Sequence, residues 1–535
     1  MQLPTHASAA DPWRRHDATL NELFDATVLA NPDHVALDSQ ESALTYSELQ
    51  RWSNNVAAIV IDNGISRGDR VFVLNDNCLL SPAIVLGLGR AAAVGVRPNP
   101  DDPVEFLRLI LEDSGARLIV ATGSQLELAH ALAGSGIRVA LLDPGQFQER
   151  SMIRSRTHPD DRVWIAYTSG STGRPKGVTH TERSVMGFVS SYIATTGLSR
   201  SDRVARLHEV RGMDMFSALI VGASSHDFNL SVQGFTGIGR WLSERQITIL
   251  PTVPTVLRYI VKELRSQPRE LALRLLRLSG EPLTRADLAQ AATVFPETCR
   301  ILNWYGSTEV AVASRTFSFA DLTEVSSIPV GRVFDNIEVE IIDNHGAAVD
   351  GPEVGEIAVK SDVLFEGYWN RPDLDTSAFS TVNDQSGCRR FNTGDTGFID
   401  AAGELHICGR KDEQIKVSGF RVEPGEIEAA LRAMPGISDA AIVPVKGKLG
   451  NDSTTELAAY VEVDPAHTPT VEAIRDYLRA LVPSYKVPAY YVRVADIPKL
   501  GSGKTDKRSL PRFVPVSRLD YNTVIEPGKP GGGSD

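Results

Sequence analysis

Apolar positions recur at helical spacing over residues 17–29 (DATLNELFDATVL), which predicts a helix entered through an Asp17 cap. RVFVL at 70–74 and RLIVA at 117–121 are short β-branched runs of the kind buried parallel strands carry. Between them, PVEFLRLILED at 103–113 predicts an amphipathic helix. The two kinds of segment alternate from about residue 18 to 515, a rhythm that predicts an α/β architecture with a largely parallel sheet.

The texture changes after about residue 325. IEVEIID at 337–343 and the segments 355–360 and 403–408 are strand-like and divided by Gly, Pro, Asn and Asp turns, which predicts a β-rich subdomain. A smaller α+β unit follows, with helices at 424–434 (PGEIEAALRAM) and 470–481. The expected division is a large N-terminal domain over 18–411, a small mobile C-terminal domain over 412–515 and a disordered tail over 516–535. No internal repeat interrupts it. The most apolar stretch, 79–96, is broken by Pro82 and Arg90 and reads as core rather than as a membrane span.

A chain of 535 residues exceeds one compact core, and 42% hydrophobic with 23% charged residues is an ordinary globular balance. The 55 Lys and Arg against 67 Asp and Glu leave a net charge of −12, which excludes the basic footprint of a nonspecific nucleic-acid binder. Cys78, Cys299, Cys388 and Cys408 are scattered without metal-ligand spacing, as reduced and mostly buried thiols are. The N-terminus has no apolar run after its basic pair, so no secretory signal is expected and the chain is expected in the cytoplasm.

The chemistry concentrates first in YTSGSTGRPKGV, 167–178. Gly170 and Gly173 let backbone N–H groups approach an anion. Thr168, Ser169, Ser171 and Thr172 offer hydroxyl donors, and Lys176 offers a charge. The strand-like residues 163–166 precede this loop, which places it at a strand end, where ligands of open α/β sheets sit. On composition alone the alternative is a flexible Gly/Ser loop. It is not a P-loop: Arg174 stands where the lysine should be, and near the C-terminus Gly503-Lys504-Thr505 lacks its first glycine, which is Pro498.

This loop resembles the phosphate-binding signature of the adenylate-forming superfamily, which contains nonribosomal-peptide adenylation domains, acyl-CoA synthetases and beetle luciferases. The resemblance continues in order through LTYSEL (44–49), NWYGSTE (303–309), Thr393-Gly394-Asp395, GRKDEQIKVSGFRVEPGEIE (409–428) and GSGKTDKRSL (501–510), and covers roughly 18–512. The wording is most similar to peptide-synthetase adenylation domains. The implied activity is ATP-dependent formation of an acyl-adenylate with Mg²⁺, followed by transfer of the acyl group to a thiol.

Carried over by position, the resemblance assigns Tyr305 to stack on adenine, for which a flat π face is suited. Asn303 meets the amino edge, with Gly306 and the backbone of Gly280-Glu281-Pro282 in the same pocket. Thr308 touches the α-phosphate, and Glu309 holds Mg²⁺ through a hard carboxylate oxygen. Asp395 accepts from the ribose hydroxyls, with Arg410 beside it. Lys504 is the catalytic lysine, offsetting the repulsion between carboxylate nucleophile and phosphate. Asp412 resembles the hinge about which the C-terminal domain rotates, carrying Gly419-Phe420-Arg421 toward the incoming thiol; a turn residue is the alternative.

HEVRGMDMFSALIVGA, 208–223, is similar to the family's substrate-pocket helix through its MFxAL…GA portion. Amino-acid-activating members carry an aromatic residue and then an Asp that grips the ammonium; here these are His208 and Glu209. His208, a catalytic candidate, resembles acyl-CoA synthetases, while Glu209 keeps an amine reading alive with one more methylene of reach. The implied pocket adds Val210, Met213, Pro251, Arg277, Ser279, Trp304, Val312 and Ala313. Arg277 has three readings: binding a second carboxylate, pairing with Glu209, or pointing outward. Trp304 narrows the space toward a small or flat acid. Only 25 residues follow Leu510, too few for a fused carrier domain. The expectation is therefore a stand-alone enzyme of secondary metabolism loading a small amino or imino acid onto a separate carrier protein. The alternatives are an acyl-CoA or aryl-CoA ligase, with CoA as acceptor, and a non-catalytic nucleotide-binding regulatory protein.

Overall fold

The computed structural model describes residues 13, 17–134, 136–168, 175–207, 214–323, 328–349, 351–381, 389–411, 414–449, 452–464, 467–499, 505–507 and 509–511. They divide into two compact units. One runs to residue 412 without 101–112 and 167–176; the other comprises those two segments and the chain from 413 onward.

The first unit is α/β, with three sheets among the described residues. Six strands of a nine-stranded sheet are parallel: Val35–Asp38, Ser224–Asp227, Arg203–Arg206, Ile249–Thr252, Leu275–Ser279 and Arg300–Gly306. Antiparallel strands close its two edges, Ala43–Thr45 on one side and Ala311–Phe317 with Arg332–Val333 on the other. A seven-stranded sheet contains the expected Arg70–Leu74 and Leu118–Ala121, together with Arg162–Thr168 and Lys176–Thr181, and ends on Gly367–Tyr368. The β-rich segment forms a five-stranded antiparallel sheet through Glu338–Ile342, Gly355–Ser361 and Arg389–Ile399. In the other unit, helices Pro424–Arg432 and Val471–Leu481 accompany the three strands Ile437–Leu449, Asp452–Val463 and Tyr490–Val494.

Local chemistry corrects two expectations. The first helix is Leu20–Ala30, and its cap is Thr19, not Asp17. Thr19 and Glu22 form a reciprocal capping box, in which Glu22 Oε2 accepts from the Thr19 N–H at 2.9 Å; this satisfies two orphan helix-end donors at once. The three described thiols are not mostly buried: Cys299 is inside, Cys78 half-buried and Cys408 exposed, while Cys388 lies outside the described residues. The apolar stretch 79–96 becomes helix Leu80–Arg90 and strand Val94–Val96. Arg90, its charged member, is fully buried. Asp25 receives its guanidinium at 2.5 and 3.0 Å, while Ser53 Oγ and the Ile153 carbonyl accept at 2.9 Å, so the charge is neutralised and hydrogen-bonded. Among the described residues no helix is long and apolar enough to cross a membrane.

Two strands of the large sheet are pinned by a buried relay. His226 lies 2.8 Å from Ser224 Oγ through Nε2 and 2.8 Å from Asp38 Oδ2 through Nδ1. The pattern mimics a hydrolase triad, but Ser224 is 3% exposed, so no substrate reaches it and the relay is structural. Burial first, then Arg203 and Arg245 against the opposing pull of Asp38, holds the His226 imidazole down at about 4. The unfolded chain therefore binds a proton near pH 6.5 that the folded chain refuses. The resulting stabilisation is complete above pH 6.5 and is lost as pH falls toward 4, on the order of 2–3 kcal/mol. Urea unfolding between pH 7.5 and 4.5 is expected to show a shallower acid limb for His226→Gln than for the native chain.

Candidate active site

The strand Arg300–Gly306 organises the site, because alternate side chains face opposite sides of the sheet. Leu302 and Trp304 lie opposite Arg277 and Ser279 of the parallel neighbour, while Asn303 and Tyr305 point the other way. The strand ends in a register shift between Tyr305 and Gly306. A Cβ on Gly306 would stand 2.8 Å from the Val310 carbonyl and 2.9 Å from Ala311 Cα, so this bulge requires glycine. Beyond it come Thr308, exposed, and Glu309, buried.

Tyr305 is tied to the strand Arg389–Ile399. Its hydroxyl donates to Asp395 Oδ2 at 2.6 Å, and Arg410 Nη1 donates to Asp395 Oδ1 at 2.6 Å from the register position directly across the sheet. All three residues are nearly enclosed. Burial, and after it the Asp395 carboxylate, hold the Tyr305 phenol well above its ordinary value, so it stays a donor. The Asp395 backbone N–H is itself fixed at 3.1 Å by Thr393 Oγ1, which donates to the Ile357 carbonyl at 2.8 Å. Asn303 commits its amide N–H to the Pro329 carbonyl at 3.0 Å. The chain thus brings an aromatic ring, an amide and a carboxylate together from segments about ninety residues apart.

Glu309, 2% exposed, accepts a hydrogen bond at 3.0 Å from the hydroxyl of Tyr368. His180 faces the same carboxylate and the Thr308 backbone. Burial pushes its imidazole down to about 4 although Glu309 pulls the other way. Sequence reasoning missed Tyr368 and His180. The signal for His180 was its place two residues after the loop motif; Tyr368 carries no local signal, since its partner is 59 residues away.

On the opposite face, Arg277 points inward rather than outward, while Glu209, the pairing partner read for it, lies outside the described residues. The Arg277 guanidinium reaches Asp214 Oδ2 at 3.3 Å and lies 5.1 Å from the Trp304 ring centre and 5.7 Å from that of Tyr192. Burial raises the Asp214 carboxyl above its ordinary range, with Arg277 opposing. Trp304 is packed against Phe188, Tyr192 and Phe334. Ser279 is half-buried beside Trp304, and Pro251 is half-buried beside Arg277 on the next strand; Val312 and Ala313 are core. Gly280 adopts φ +84°, a left-handed turn closing the strand. Glu281 turns its side chain away to cap helix Pro254–Ser266, accepting from the Thr255 N–H at 2.9 Å and hydroxyl at 2.8 Å. Pro282 is exposed.

The loop contributes its two ends: Thr168 closes one strand and Lys176, buried, opens the next. Ser169, Gly170, Ser171, Thr172 and Gly173 lie outside the described residues, as do His208, Glu209, Val210, Met213, Asp412 and Lys504. Helix Asp214–Val221 is the described part of the substrate-pocket segment.

A family model described as AMP-binding enzyme matches residues 24–369, and one described as AMP-binding enzyme C-terminal domain matches 426–504. Tyrocidine synthase 1 of Brevibacillus parabrevis is 27% identical over 92% of this chain, which spans only 45% of that relative's length. Syringomycin synthase SyrB1 of Pseudomonas syringae pv. syringae is 30% identical over 94% of this chain and 83% of its own. In fold, the chain is similar to NpsA-ThdA, an artificially fused adenylation-PCP di-domain from Klebsiella oxytoca. The TM-score is 0.79 at 22% identity, over 90% of this chain and 94% of that one.

Proposed function

The chain belongs to the AMP-binding enzyme family and is an adenylate-forming ligase; from that premise we propose that it activates a small, uncharged amino or imino acid and passes it to a carrier-protein thiol. Enzymes of this family use ATP. In the proposed first half-reaction a carboxylate oxygen of the acid attacks the α-phosphorus of ATP. The bond to pyrophosphate breaks, giving acyl-adenylate and pyrophosphate. In the second half-reaction a thiolate attacks the acyl carbon and AMP leaves. The observation that supports this most is the Tyr305–Asp395–Arg410 linkage. It presents a fixed ring and a carboxylate with acceptor capacity remaining, as recognition of an adenine and its ribose needs.

The residues present also fit Mg²⁺. Among the described residues no group of three or more His, Cys, Asp or Glu could hold a metal. Magnesium in nucleotide sites is held by one or two carboxylates plus substrate phosphates, and Glu309 supplies one such hard oxygen. Bound there, the ion would neutralise phosphate charge; Glu309 would orient it, Thr308 would meet the α-phosphate, and Lys176 and the loop would hold the outer phosphates.

The restriction to an uncharged side chain follows from Arg277. Asp214 already neutralises it, so a second substrate carboxylate would put an uncompensated anion beside a buried carboxylate. Exchange of labelled pyrophosphate into ATP, run across a panel of acids, tests this. Uncharged amino or imino acids are expected to exceed aspartate and glutamate by at least about tenfold, the effect of about 1.4 kcal/mol. Exchange supported by simple acids but by no amine-bearing one would remove the amino-acid assignment. The product mass with CoA, against that with a phosphopantetheinylated carrier protein, separates the CoA-ligase alternative.

A further inference from the structure

We propose that Tyr368 is a positioning residue for Glu309, fixing the orientation in which that carboxylate meets a divalent cation on the nucleotide phosphates. The proposal rests on the assignment of Glu309 as the magnesium ligand and goes beyond it, since Tyr368 lies outside every motif that carried the assignment.

The geometry is direct. Tyr368 Oη donates to Glu309 Oε1 at 3.0 Å, and the two side chains are 7% and 2% exposed. The phenol is held from several sides. Gly367–Tyr368 pairs antiparallel with Thr179 and Val178 of the strand that follows the phosphate loop. On either side, the Glu366 N–H reaches the Thr179 carbonyl at 2.8 Å and the Trp369 N–H reaches the Gly177 carbonyl at 2.7 Å. The Tyr368 N–H donates to Asp375 Oδ1 at 2.7 Å, Phe365 meets its ring edge-on at 5.1 Å, and the Trp369 indole anchors to the Asp113 carbonyl at 3.0 Å. The hydroxyl therefore sits at a fixed point of the sheet edge.

The chemistry of the donor matters. A glutamate left to itself samples three side-chain torsions, whereas magnesium demands near-octahedral ligand placement. A lysine or arginine in place of Tyr368 would orient Glu309 but would also cancel its charge. A neutral phenol orients it through a charge-assisted hydrogen bond and leaves the negative charge for the cation. Such partners of metal ligands typically change metal affinity by about 10–100-fold when removed.

The test compares native enzyme, Tyr368→Phe, Glu309→Gln and the double variant in pyrophosphate exchange titrated with Mg²⁺. ATP binding in EDTA and the melting temperature are read alongside. Tyr368→Phe is expected to raise the Mg²⁺ concentration for half-maximal exchange about tenfold, to leave metal-free ATP binding and the KM of the acid unchanged, and to add nothing in the Glu309→Gln background. If Glu309→Gln raises the magnesium requirement and Tyr368→Phe does not, the positioning role is overturned while the Glu309 assignment stands. If Glu309→Gln leaves the requirement unchanged, the Glu309 assignment fails and the proposal with it. Loss of metal-free ATP binding in Tyr368→Phe would also overturn it, by showing that the hydroxyl serves the packing of the domain.

Discussion

Lys504→Ala is expected to lower pyrophosphate exchange by about 10²–10³-fold while ATP still binds within a few fold of the native affinity. Adenylation brings one anion against another, and a positioned cation that meets charge only as it redistributes in the transition state typically supplies about 3–4 kcal/mol. Lys504 is assigned that part by the GSGKTDKRSL motif. Lys176 differs in kind. It opens a strand, is buried, and ends the loop proposed to hold phosphate in the ground state, so its removal should raise the KM for ATP more than it lowers kcat. Exchange with the cognate acid at saturating ATP, together with nucleotide binding measured by calorimetry, separates the two. Unchanged turnover in Lys504→Ala would remove the lysine from the mechanism.

The contrast between these two lysines follows what a sequence can carry. Short-range features were legible because their causes are local. β-branched runs became Arg70–Leu74 and Leu118–Ala121, and the helix predicted over 103–113 runs Val104–Ser114. The first helix shows the limit even at short range: Asp17 and Thr19 both offer capping oxygens, and Thr19 wins because Glu22 stands at the position that completes the reciprocal box. Nucleotide-site candidates were legible through motif order, and the structure brings Tyr305, Asp395 and Arg410 together.

Partners chosen by tertiary contact were not legible. Arg277 goes to Asp214, 63 residues earlier, and neither residue's neighbours in sequence announce the other. Glu281 was placed in the pocket by its backbone alone, and the destination of its side chain, the N-terminus of helix Pro254–Ser266, had no signal in the sequence. Arg90 was read as a break in an apolar stretch; it is buried because Asp25 and Ser53 converge on it across the core. In each case a polar group had to be satisfied on burial, and the identity of the satisfier is a property of the fold.

Asp395→Ala should produce the largest combined loss, and a second substitution can divide it. The carboxylate serves Tyr305 and Arg410 together, and the Arg410 and Asp395 side chains are 16% and 10% exposed. Removing it takes from the enclosed guanidinium the carboxylate it holds at 2.6 Å and from the buried phenol the oxygen it donates to; losing one partner costs about 3–5 kcal/mol in comparable buried pairs. It also takes away the group proposed to accept from the ribose hydroxyls, so the dissociation constant for ATP is expected to rise by about 100-fold, or about 2.7 kcal/mol. Adding Arg410→Met removes the charge that Asp395 balanced while keeping an apolar stem of similar length. Denaturant unfolding of Asp395→Ala/Arg410→Met should then recover a substantial part of the lost stability. Calorimetric titration with ATP should recover none of the affinity, because a ribose contact cannot be restored by relieving strain elsewhere. Recovery of both together would mean that Asp395 acts only by keeping the two strands and Tyr305 in place, and the nucleotide contact would have to be sought on another residue of the site.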